Sequence, residues 1–366
     1  MQGIMKILYL YTELQGHNIP VFGCLATDYE ATVEVFHWTQ NKLTPFIPSE
    51  HISNPNVRFH NRSAYSSAQI AEFAENFSPD LVYVTGWMDK GYFPALKKLK
   101  SMGIPVVAGL DGQWTGSVRK HLACLVMRWL YKKPYYNYLW VPGPLQYEYA
   151  ARLGFKKTEI ISNLLSGNSN LFSEAAKALA STKQSQYPAK FLYVGRFAET
   201  KGVDILIEAF DIYKSKYRGA WGLTCVGNGP MKAALTTAMT RHPDIKVENF
   251  LPQAQLVNSA IESGCFILPS RYEPWGVVAH EFAAAGLPMI LSEHVGARQQ
   301  YLVDGFNGYT FFENSAESLA QKMYLLSTAA IDTLVEMSKR SAALASTTSP
   351  DLTVASLVSV LKRERT

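Results

Sequence analysis

Two glutamates with seven residues between them, Glu273 and Glu281, stand in the largely apolar stretch SRYEPWGVVAHEFAAAGLP. Pro274 disfavours the α conformation for the residue before it and is well tolerated in the first turn of a helix. We therefore predict a helix from near Trp275 to Ala285, where Gly286 and the following proline supply a stop signal. Glu273 then lies at the end of the strand CFILP, and Glu281 lies about one turn into the helix.

The start of this helix offers a site for negative charge, because its first amide groups have no partner within the helix. Gly276, Val277 and Val278 supply these amides, and Gly276 has no side chain to hold a ligand away. Carboxylates beside such a site accept hydrogen bonds from sugar hydroxyls. A phosphate flanked by polyols describes a sugar nucleotide. The alternative is that Glu273 caps the helix or forms a salt bridge, and that Glu281 is solvated.

Two cations follow another predicted strand in YVGRFAETKGVDILIEAF. Arg196 comes directly after Gly195, and Lys201 stands just before a helical pattern. Arginine offers a fork of donors and lysine a compact charge, and together they suit a diphosphate at a strand end. Cations beside helices are common, so an ordinary solvated role is the alternative.

Two further strand ends carry turn signals. In CVGNGP, the residues Gly227, Asn228 and Gly229 permit a tight turn and the close approach of a ligand, although an ordinary turn explains them equally. In NFLPQAQL, Leu251 stands between a strand and the start of a helix. Four such sites therefore follow one another within a single α/β domain.

The elements that position these sites are short apolar runs alternating with helical patterns, which predicts βαβ units and parallel sheets. Strands are predicted at Lys6–Tyr11, Val33–Trp38, Val57–His60, Leu81–Thr85, Pro105–Leu110, Tyr138–Val141, Phe191–Gly195, Gly222–Val226, Ile245–Phe250, Cys265–Pro269, Pro288–Ser292 and Tyr309–Phe311. We expect one domain over residues 1–165, a linker over 166–190 and a second domain over 191–345. Residues 346–366 are expected to form a helix that could pack back on the first domain.

Composition narrows the function classes. Of the 366 residues, 48% are hydrophobic and 18% are charged, which allows large cores and argues against global disorder. A net charge of +5 is too weak to indicate a nucleic-acid partner, although it fits anionic ligands or an anionic surface. The four cysteines form no CxxC pair, so we predict buried thiols in a reducing cytoplasm. No apolar run approaches the ~18 residues that a membrane span needs.

Four stretches of the sequence together resemble the C-terminal domain of GT-B glycosyltransferases, with the retaining family 4 as the best match. They are GR…KG, VGNGP, LPS…E-PWGVV…E…AAAGLP and GARQQYLVDGFNGYTF. The resemblance covers Phe191 to about Phe312, and the N-terminal half is similar in layout alone. It implies an α/β architecture of two doubly wound, Rossmann-like domains that face a cleft.

The resemblance also implies roles for individual residues. Arg196 and Lys201 would hold the donor diphosphate and stabilise the leaving group, while Glu273 bonds hydroxyls of the transferred sugar and Glu281 bonds the ribose. With Asp111, the first three form the implied catalytic set. The implied donor-binding residues are Gly195, Gly227, Asn228, Gly229, Leu251, Pro274, Trp275, Gly276, Val277, Val278 and Glu281.

The activity implied is a retaining hexosyl transfer by front-face attack, in polysaccharide or glycolipid synthesis. The donor would be a UDP- or GDP-sugar, and the acceptor a glycan or a lipid-linked molecule. Fixed cations would stabilise the leaving group electrostatically, without a metal or a cofactor. The absence of an Asp-x-Asp motif agrees with metal independence.

The first domain departs from the family pattern. A histidine is common at the end of the strand before the active-site loop, whereas VVAGLDGQW places Leu110 there and Asp111 next. Either Asp111 takes the polar role, or the alignment shifts by one residue. In TELQGHN, Gly16 could stand for the family's Gly-Gly, with His17 near the acceptor or without a role.

Two other segments of the first domain suggest partners. In TGWMDKGY, Trp87 and Asp89 should face the cleft, and Trp87 could stack on an acceptor sugar. The segment Ser117–Trp140 is basic and aromatic, and it either docks on an anionic membrane at the inner face or forms a core helix with solvated charges.

Other functions stay open on the sequence alone. A GT-B sugar-nucleotide epimerase is one, and a phosphorylase is another, although we see no sequence sign of its cofactor-bearing lysine. A non-catalytic accessory protein that binds glycans is the third. The missing histidine favours it, and the presence of both acids and both cations weakens it.

Overall fold

The computed structural model describes residues 4–39, 47–179, 186–312 and 314–363 of the chain. The chain divides into two compact units, Met1–Ser166 with Pro350–Thr366, and Gly167–Ser349. Within the described ranges, no helix combines the length and the apolarity that crossing a bilayer requires.

The first unit is built on a seven-stranded sheet. Its strands are β1 (Lys6–Leu10), β2 (Thr32–His37), β3 (Val57–Asn61), β4 (Leu81–Val84), β5 (Val106–Gly109), β6 (Tyr138–Trp140) and β7 (Ile160–Ile161). All pairs are parallel, in the order β3-β2-β1-β4-β5-β6-β7. Along β1, Ile7 and Tyr9 enter one hydrophobic cluster while Leu8 and Leu10 enter another. The sheet is therefore buried on both faces, as parallel sheets are.

Helices connect these strands. They are α1 (Asn18–Thr27), α2 (Ser67–Phe77), α3 (Phe93–Ser101), α4 (Val118–Val126), α5 (Lys132–Tyr135) and α6 (Pro144–Arg152). A π-helical turn over Met127–Tyr131 joins α4 to α5. Short 3₁₀ turns lie at Pro48–Glu50, Arg62–Ala64, Lys90–Tyr92 and Lys157–Glu159.

The second unit repeats this plan with six strands. They are β8 (Lys190–Val194), β9 (Gly222–Val226), β10 (Ile245–Glu248), β11 (Cys265–Leu268), β12 (Met289–Ser292) and β13 (Gly308–Phe311). Its helices are α7 (Ser169–Leu179), α8 (Val203–Ser215), α9 (Lys232–Arg241), α10 (Gln253–Ile261), α11 (Val277–Ala284), α12 (Arg298–Tyr301), α13 (Ala316–Ser327) and α14 (Ile331–Ala345). The strands are parallel, in the order β10-β9-β8-β11-β12-β13.

The chain ends in α15 (Pro350–Arg363), which belongs to the first unit and packs against α1. Its apolar residues Val354, Leu357 and Val358 join the cluster that covers one face of the first sheet. The last helix thus returns to the unit in which the chain begins.

The structure confirms all twelve predicted strands, with ends shifted by at most two residues. The two-residue strand β7 was not predicted. Helix α1 also escaped prediction, because Pro20 and Gly23 interrupt its apolar pattern. The helix predicted from near Trp275 begins instead at Val277, since Gly276 adopts a left-handed cap with φ 98°.

The predicted burial of the cysteines is confirmed for Cys24, Cys225 and Cys265, while Cys124 is partly exposed. All four are free thiols.

Candidate functional site

The centre of the second sheet is a topological switch point. The chain runs from β8 outward to β9 and β10, then returns to β11 on the other side of β8. In open α/β sheets ligands bind beyond the carboxyl ends of the strands at such a point, where the flanking loops diverge. Arg196 follows β8 and Glu273 follows β11, so the topology brings these predicted residues to one edge of the sheet.

Lys201 and Glu273 form an ion pair at this edge. The Lys201 Nζ lies 2.5 Å from Glu273 Oε2, and the Ser270 hydroxyl donates to the same oxygen over 3.3 Å. The side chains of Lys201 and Glu273 are 23% and 12% exposed, so solvent reaches both groups without surrounding them. The alternative that Glu273 forms a salt bridge is confirmed, and its partner is the predicted diphosphate-binding lysine.

Arg271 fixes the two loops that carry this pair. Its guanidinium makes two hydrogen bonds to the Asp204 carboxylate, at 2.6 and 2.5 Å, and a third to the Glu199 carbonyl at 2.8 Å. Its backbone N–H donates to the Thr200 carbonyl over 3.0 Å. Hydrogen bonds from Arg271 hold the pKa of Asp204 below its ordinary value. The lysine turn, Glu199–Lys201, is thereby tied to the loop after β11.

Gly202 allows this close approach. Its φ is +67°, in the left-handed region, and a Cβ there would lie far inside van der Waals contact of the Pro269 carbonyl oxygen. Glycine alone fits both conditions. The KG pair of the sequence therefore places a cation at a point where two strand-end loops touch.

Glu281 is buried, with 6% of its surface exposed, on the first turns of α11. Its Oε1 accepts hydrogen bonds from Gln253 Nε2 at 2.6 Å and from the Asn168 backbone N–H at 3.4 Å. Burial raises the pKa of Glu281 to about 7, although these two hydrogen bonds oppose the rise. The alternative that Glu281 is solvated is therefore wrong.

His280 holds the segment that faces Glu281. Its Nδ1 accepts the Gly167 backbone N–H at 2.8 Å, so Nε2 carries the proton and donates to the Ala345 carbonyl at 3.0 Å. The ring stacks on Tyr301, with centroids 4.5 Å apart and planes 4° from parallel. Burial lowers the pKa of His280 to about 4, which keeps the ring neutral around pH 7.

Backbone hydrogen bonds hold the loop around Gly276 in place. The Glu273 carbonyl accepts the Gly296 N–H at 3.0 Å, and the Trp275 carbonyl accepts the Ala297 N–H at 2.8 Å. These bonds hold the loop from Pro274 to Gly276 beside the loop after β12. Trp275 is buried, with 2% of its surface exposed, so its indole belongs to the interior of the unit.

The predicted glycine turn after β9 packs closely on the arginine loop. Gly227 and Gly229 have φ values of 151° and 153°, and a Cβ at either would overlap the carbonyl oxygens of Gly195 or Phe197. The Phe197 N–H donates to the Asn228 carbonyl over 2.8 Å. The Arg196 side chain itself is exposed.

The remaining donor-side residues occupy the same strand ends. Leu251 follows β10 and is half-buried, and Val277 and Val278 form the first turn of α11 and are also half-buried. The first residues of a helix carry amides that its own carbonyls do not reach. That these amides bind a ligand stays a prediction of the sequence.

The predicted site residues of the first unit differ in how exposed they are. Leu110 is buried, whereas Asp111, which follows β5, is exposed, and its carbonyl accepts a bond from Gln146 Nε2 at 3.1 Å. Gly16 and His17 lie in the turn that opens α1, where burial lowers the pKa of His17 to about 4.

A cavity of about 20 Å³ lies beside His17, lined also by Tyr9, Tyr11 and Trp140. Its volume is enough for one water molecule.

Asp89 is committed to local structure. Its carboxylate accepts hydrogen bonds from Trp38 Nε1 at 3.0 Å, from Arg62 Nε at 2.9 Å and from the Gly91 N–H at 2.8 Å. Burial raises the pKa of Asp89, but these donors outweigh burial and leave the pKa below its ordinary value. Trp87 is half-buried and packs on the first unit's core.

Sequence reasoning missed three groups that complete the buried part of the site. They are Asn168, Gln253 and His280. Asn168 stands 113 positions from Glu281 in the chain, so no local spacing could indicate that contact. Gln253 lies in the stretch NFLPQAQL, where the signal was a strand end and a helix start rather than the glutamine itself.

Comparisons with known proteins find similar chains and similar folds. Residues 176–342 match the family described as glycosyl transferases group 1. A glycogen synthase from Mycobacterium tuberculosis is 25% identical over 258 residues, which are 67% of this chain and 59% of the relative. The amylovoran biosynthesis glycosyltransferase AmsK of Erwinia amylovora is 32% identical over 149 residues, 38% of this chain and 36% of the relative. The match thus spans about three fifths of the glycogen synthase.

The fold is shared more widely than the sequence. The crystal structure of Anabaena Alr3699/HepE in complex with UDP-glucose matches 98% of this chain and 100% of its own, with a TM-score of 0.72 and 16% identity. The predicted fold class, GT-B with two parallel α/β sheets, is confirmed.

Proposed function

Because residues 176–342 match the family described as glycosyl transferases group 1, we propose that this protein transfers a hexose from a nucleoside-diphosphate sugar to a hydroxyl acceptor. The observation that carries the proposal is the Lys201–Glu273 ion pair at the switch point of the second sheet, in the same unit as the buried Glu281. Lys201 suits the diphosphate of such a donor, Glu273 suits its sugar, and Glu281 suits its ribose.

The diphosphate is proposed to bind Lys201, Arg196 and the first amides of α11. Lys201 forms an ion pair with Glu273, and an arriving diphosphate would supply a stronger anion for the same ammonium group. Glu273 then exchanges an ammonium donor for hydroxyl donors of the sugar. This exchange couples diphosphate binding to sugar binding through one side chain.

The ribose is proposed to bind the second oxygen of Glu281. Gln253 and the Asn168 amide engage Oε1, and no hydrogen bond among the described residues reaches Oε2. Both ribose hydroxyls are donors, so the carboxylate form accepts from them where the protonated form would offer a competing donor. Because the pKa of Glu281 is raised to about 7, donor affinity should rise with pH through that value.

Sugar transfer is proposed to proceed with retention, by front-face attack and without a metal. Charge develops on the departing diphosphate, and fixed cations placed where that charge forms stabilise it without reorganisation. Lys201, held by its turn and by Gly202, meets this requirement, and Arg196 adds an exposed cation. We propose UDP or GDP as the nucleotide.

The acceptor is proposed to be a growing glycan or a lipid-linked glycan. Relatives named for glycogen synthesis and amylovoran biosynthesis support a polysaccharide product. We propose that the first unit supplies the acceptor side through Asp111, Gly16, His17 and Trp87, and that the protein works in the cytoplasm, at the inner face of the membrane. Asp89 is left out, because its carboxylate is already satisfied.

A second candidate is a glycosyltransferase-like accessory protein that binds glycan or polypeptide acceptors without catalysis. Leu110 favours it, because a buried leucine stands where the resemblance leads us to expect a histidine. The two candidates make different predictions for nucleotide binding, since an accessory protein should bind neither UDP nor GDP.

Calorimetric titration with UDP, GDP and ADP, followed by donor hydrolysis with the matching sugars, tests the proposal. We expect one nucleotide to bind, and Glu281→Ala to weaken that binding by about tenfold, the loss of one good hydrogen-bonded contact. Glu208→Ala, at an exposed acid of α8, serves as the control. Nucleotide binding with hydrolysis of the matching sugar would support the transferase, and no nucleotide binding would contradict it and favour the second candidate.

A further inference from the structure

Helix α4 and the π-turn after it present a row of large apolar side chains to solvent. Their exposed fractions run from 42% to 76%, with Trp129 at 75% and Leu130 at 64%. The six residues are Val118, Leu122, Leu125, Val126, Trp129 and Leu130. Soluble proteins rarely expose a continuous apolar patch without a partner for it.

The row follows the helical period and faces away from the protein. Val118, Leu122 and Leu125 recur at spacings of four and three, which places them on one side of α4. The opposite side packs inward, since Met127 is buried and Cys124 is half-buried. An ordinary amphipathic helix turns its apolar stripe toward the core, whereas α4 turns its stripe toward solvent.

The surroundings of the row are positively charged. The sequence has no aspartate or glutamate from residue 112 to residue 147. Arg119, Arg128 and Lys133 are exposed, and no ion pair in the described part of the chain involves them. Lys120 and Lys132 are different, because they bond to the Gln113 carbonyl and to Glu159 within the unit.

We infer that this docking face, the six apolar residues with Arg119, Arg128 and Lys133, binds the surface of an anionic lipid bilayer. Apolar side chains enter the boundary between headgroups and acyl chains while cations meet lipid phosphates. Tryptophan favours that boundary, since its ring is apolar and its N–H is polar. A second copy of the chain fits less well, because a symmetric contact would bring the same three cations face to face.

The inference extends the proposed function, since a bilayer is where a lipid-linked acceptor resides, but its test does not depend on it. Vesicle binding is measured without donor or acceptor. The docking face also lies wholly in the first unit, whereas the residues proposed to bind the donor lie in the second. Absence of vesicle binding would therefore remove the membrane location from the proposed function and leave the proposed donor chemistry intact. Absence of nucleotide binding would leave the docking face intact.

Co-sedimentation of the full chain with vesicles of phosphatidylcholine, with or without phosphatidylglycerol, is the direct test. We expect binding to the anionic vesicles, weakened by salt because the charges on both surfaces are screened. The double substitution Trp129→Ser with Leu130→Ser should reduce it at least about tenfold, because two apolar anchors are lost. Leu325→Ser, at an exposed leucine of α13, is the matched control and should bind as the parent does.

The charges are tested separately. Replacing Arg119, Arg128 and Lys133 by glutamine should lower binding to anionic vesicles by about tenfold or more, since each cation near such a surface contributes to the affinity. Quenching of fluorescence by brominated lipids provides a readout of depth. The quenching should be weaker in Trp129→Phe, because this variant keeps an apolar ring at the position but lacks the indole that is quenched.

Two results would overturn the inference. One is equal binding of the parent and the double variant to anionic vesicles. The other is a parent chain that sediments as a dimer, a double variant that sediments as a monomer, and no vesicle binding by either, which would assign the face to self-association. Circular dichroism should show the variants folded, since every substituted side chain is exposed.

Discussion

The strand ends of the two sheets differ in how their polar side chains are used. In the second unit, Lys201 pairs with Glu273 and Gln253 donates a hydrogen bond to Glu281, so both predicted acids are held by a side-chain partner. In the first unit, Asp89 is satisfied locally and Asp111 is exposed. The same architecture therefore carries clustered charged groups in the second unit and separate polar groups in the first. We infer that the donor side follows chemistry common to many transferases, and that the acceptor side follows the substrate of this protein.

The largest effect should come from the paired cation of the second unit. Lys201→Ala is expected to lower kcat by about 100- to 1,000-fold, the cost of removing one fixed group that stabilises developing charge. Lys216→Ala, at an exposed lysine directly after α8 that pairs with Glu317, should change little. Steady-state kinetics with the donor identified by titration make the measurement, and an unchanged kcat would show that Lys201 does not act on the leaving group.

The contact between the two strand-end loops is tested at Gly202. Gly202→Ala should lower the free energy of unfolding by more than about 3 kcal/mol, because a left-handed backbone is strained for alanine and its Cβ would overlap the Pro269 carbonyl. Gly305→Ala is a close control, since Gly305 also has a positive φ, +72°, but open space around its Cβ position. It should cost about 1 kcal/mol. Urea unfolding that gave equal losses would mean that the loop contact is not tight.

The buried acid gives a pH-dependent effect of similar size. The pKa of Glu281 rises from 4.5 to about 7 on folding, so the folded state holds a proton that the unfolded chain has lost between these values. The free energy of unfolding should therefore fall as pH rises from about 4.5 to about 7, by up to about 3 kcal/mol.

Glu281→Gln should remove that fall and leave a flatter stability profile. Glu208→Gln, at an exposed acid, should keep the parent profile. Urea unfolding across this range of pH is the measurement, and identical slopes for the parent and Glu281→Gln would contradict the burial argument.

The smallest expected effect on stability or activity lies in the first unit. Asp89→Asn should lower the free energy of unfolding by about 1–2 kcal/mol, because the amide replaces a carboxylate that accepts three hydrogen bonds. It should leave the donor KM unchanged. A rise in the acceptor KM without a loss of stability would instead return Asp89 to the acceptor site, and so blur the contrast between the two units.

Sequence reasoning identified the residues that follow strands, because apolar runs and turn signals are local. Arg196, Lys201 and Glu273 were found in this way, and the topology places them at one sheet edge. It could not find Asn168 or His280, whose contacts join segments far apart in the chain.

Sequence reasoning also could not predict which side chains of a motif are buried. Trp275 and Glu281 stand in one motif, yet the indole is buried against Tyr301 and the carboxylate is held by a glutamine from another helix. Whether each side chain turns inward or toward a ligand depends on packing between α10, α11 and α12, which no spacing rule describes.

A crystal structure with the nucleoside diphosphate bound tests the central claim most directly. We expect the diphosphate against Lys201, Arg196 and the first amides of α11, with the ribose on Glu281 and the Lys201–Glu273 distance longer than 2.5 Å. A ligand bound elsewhere, with that ion pair unchanged, would contradict the account.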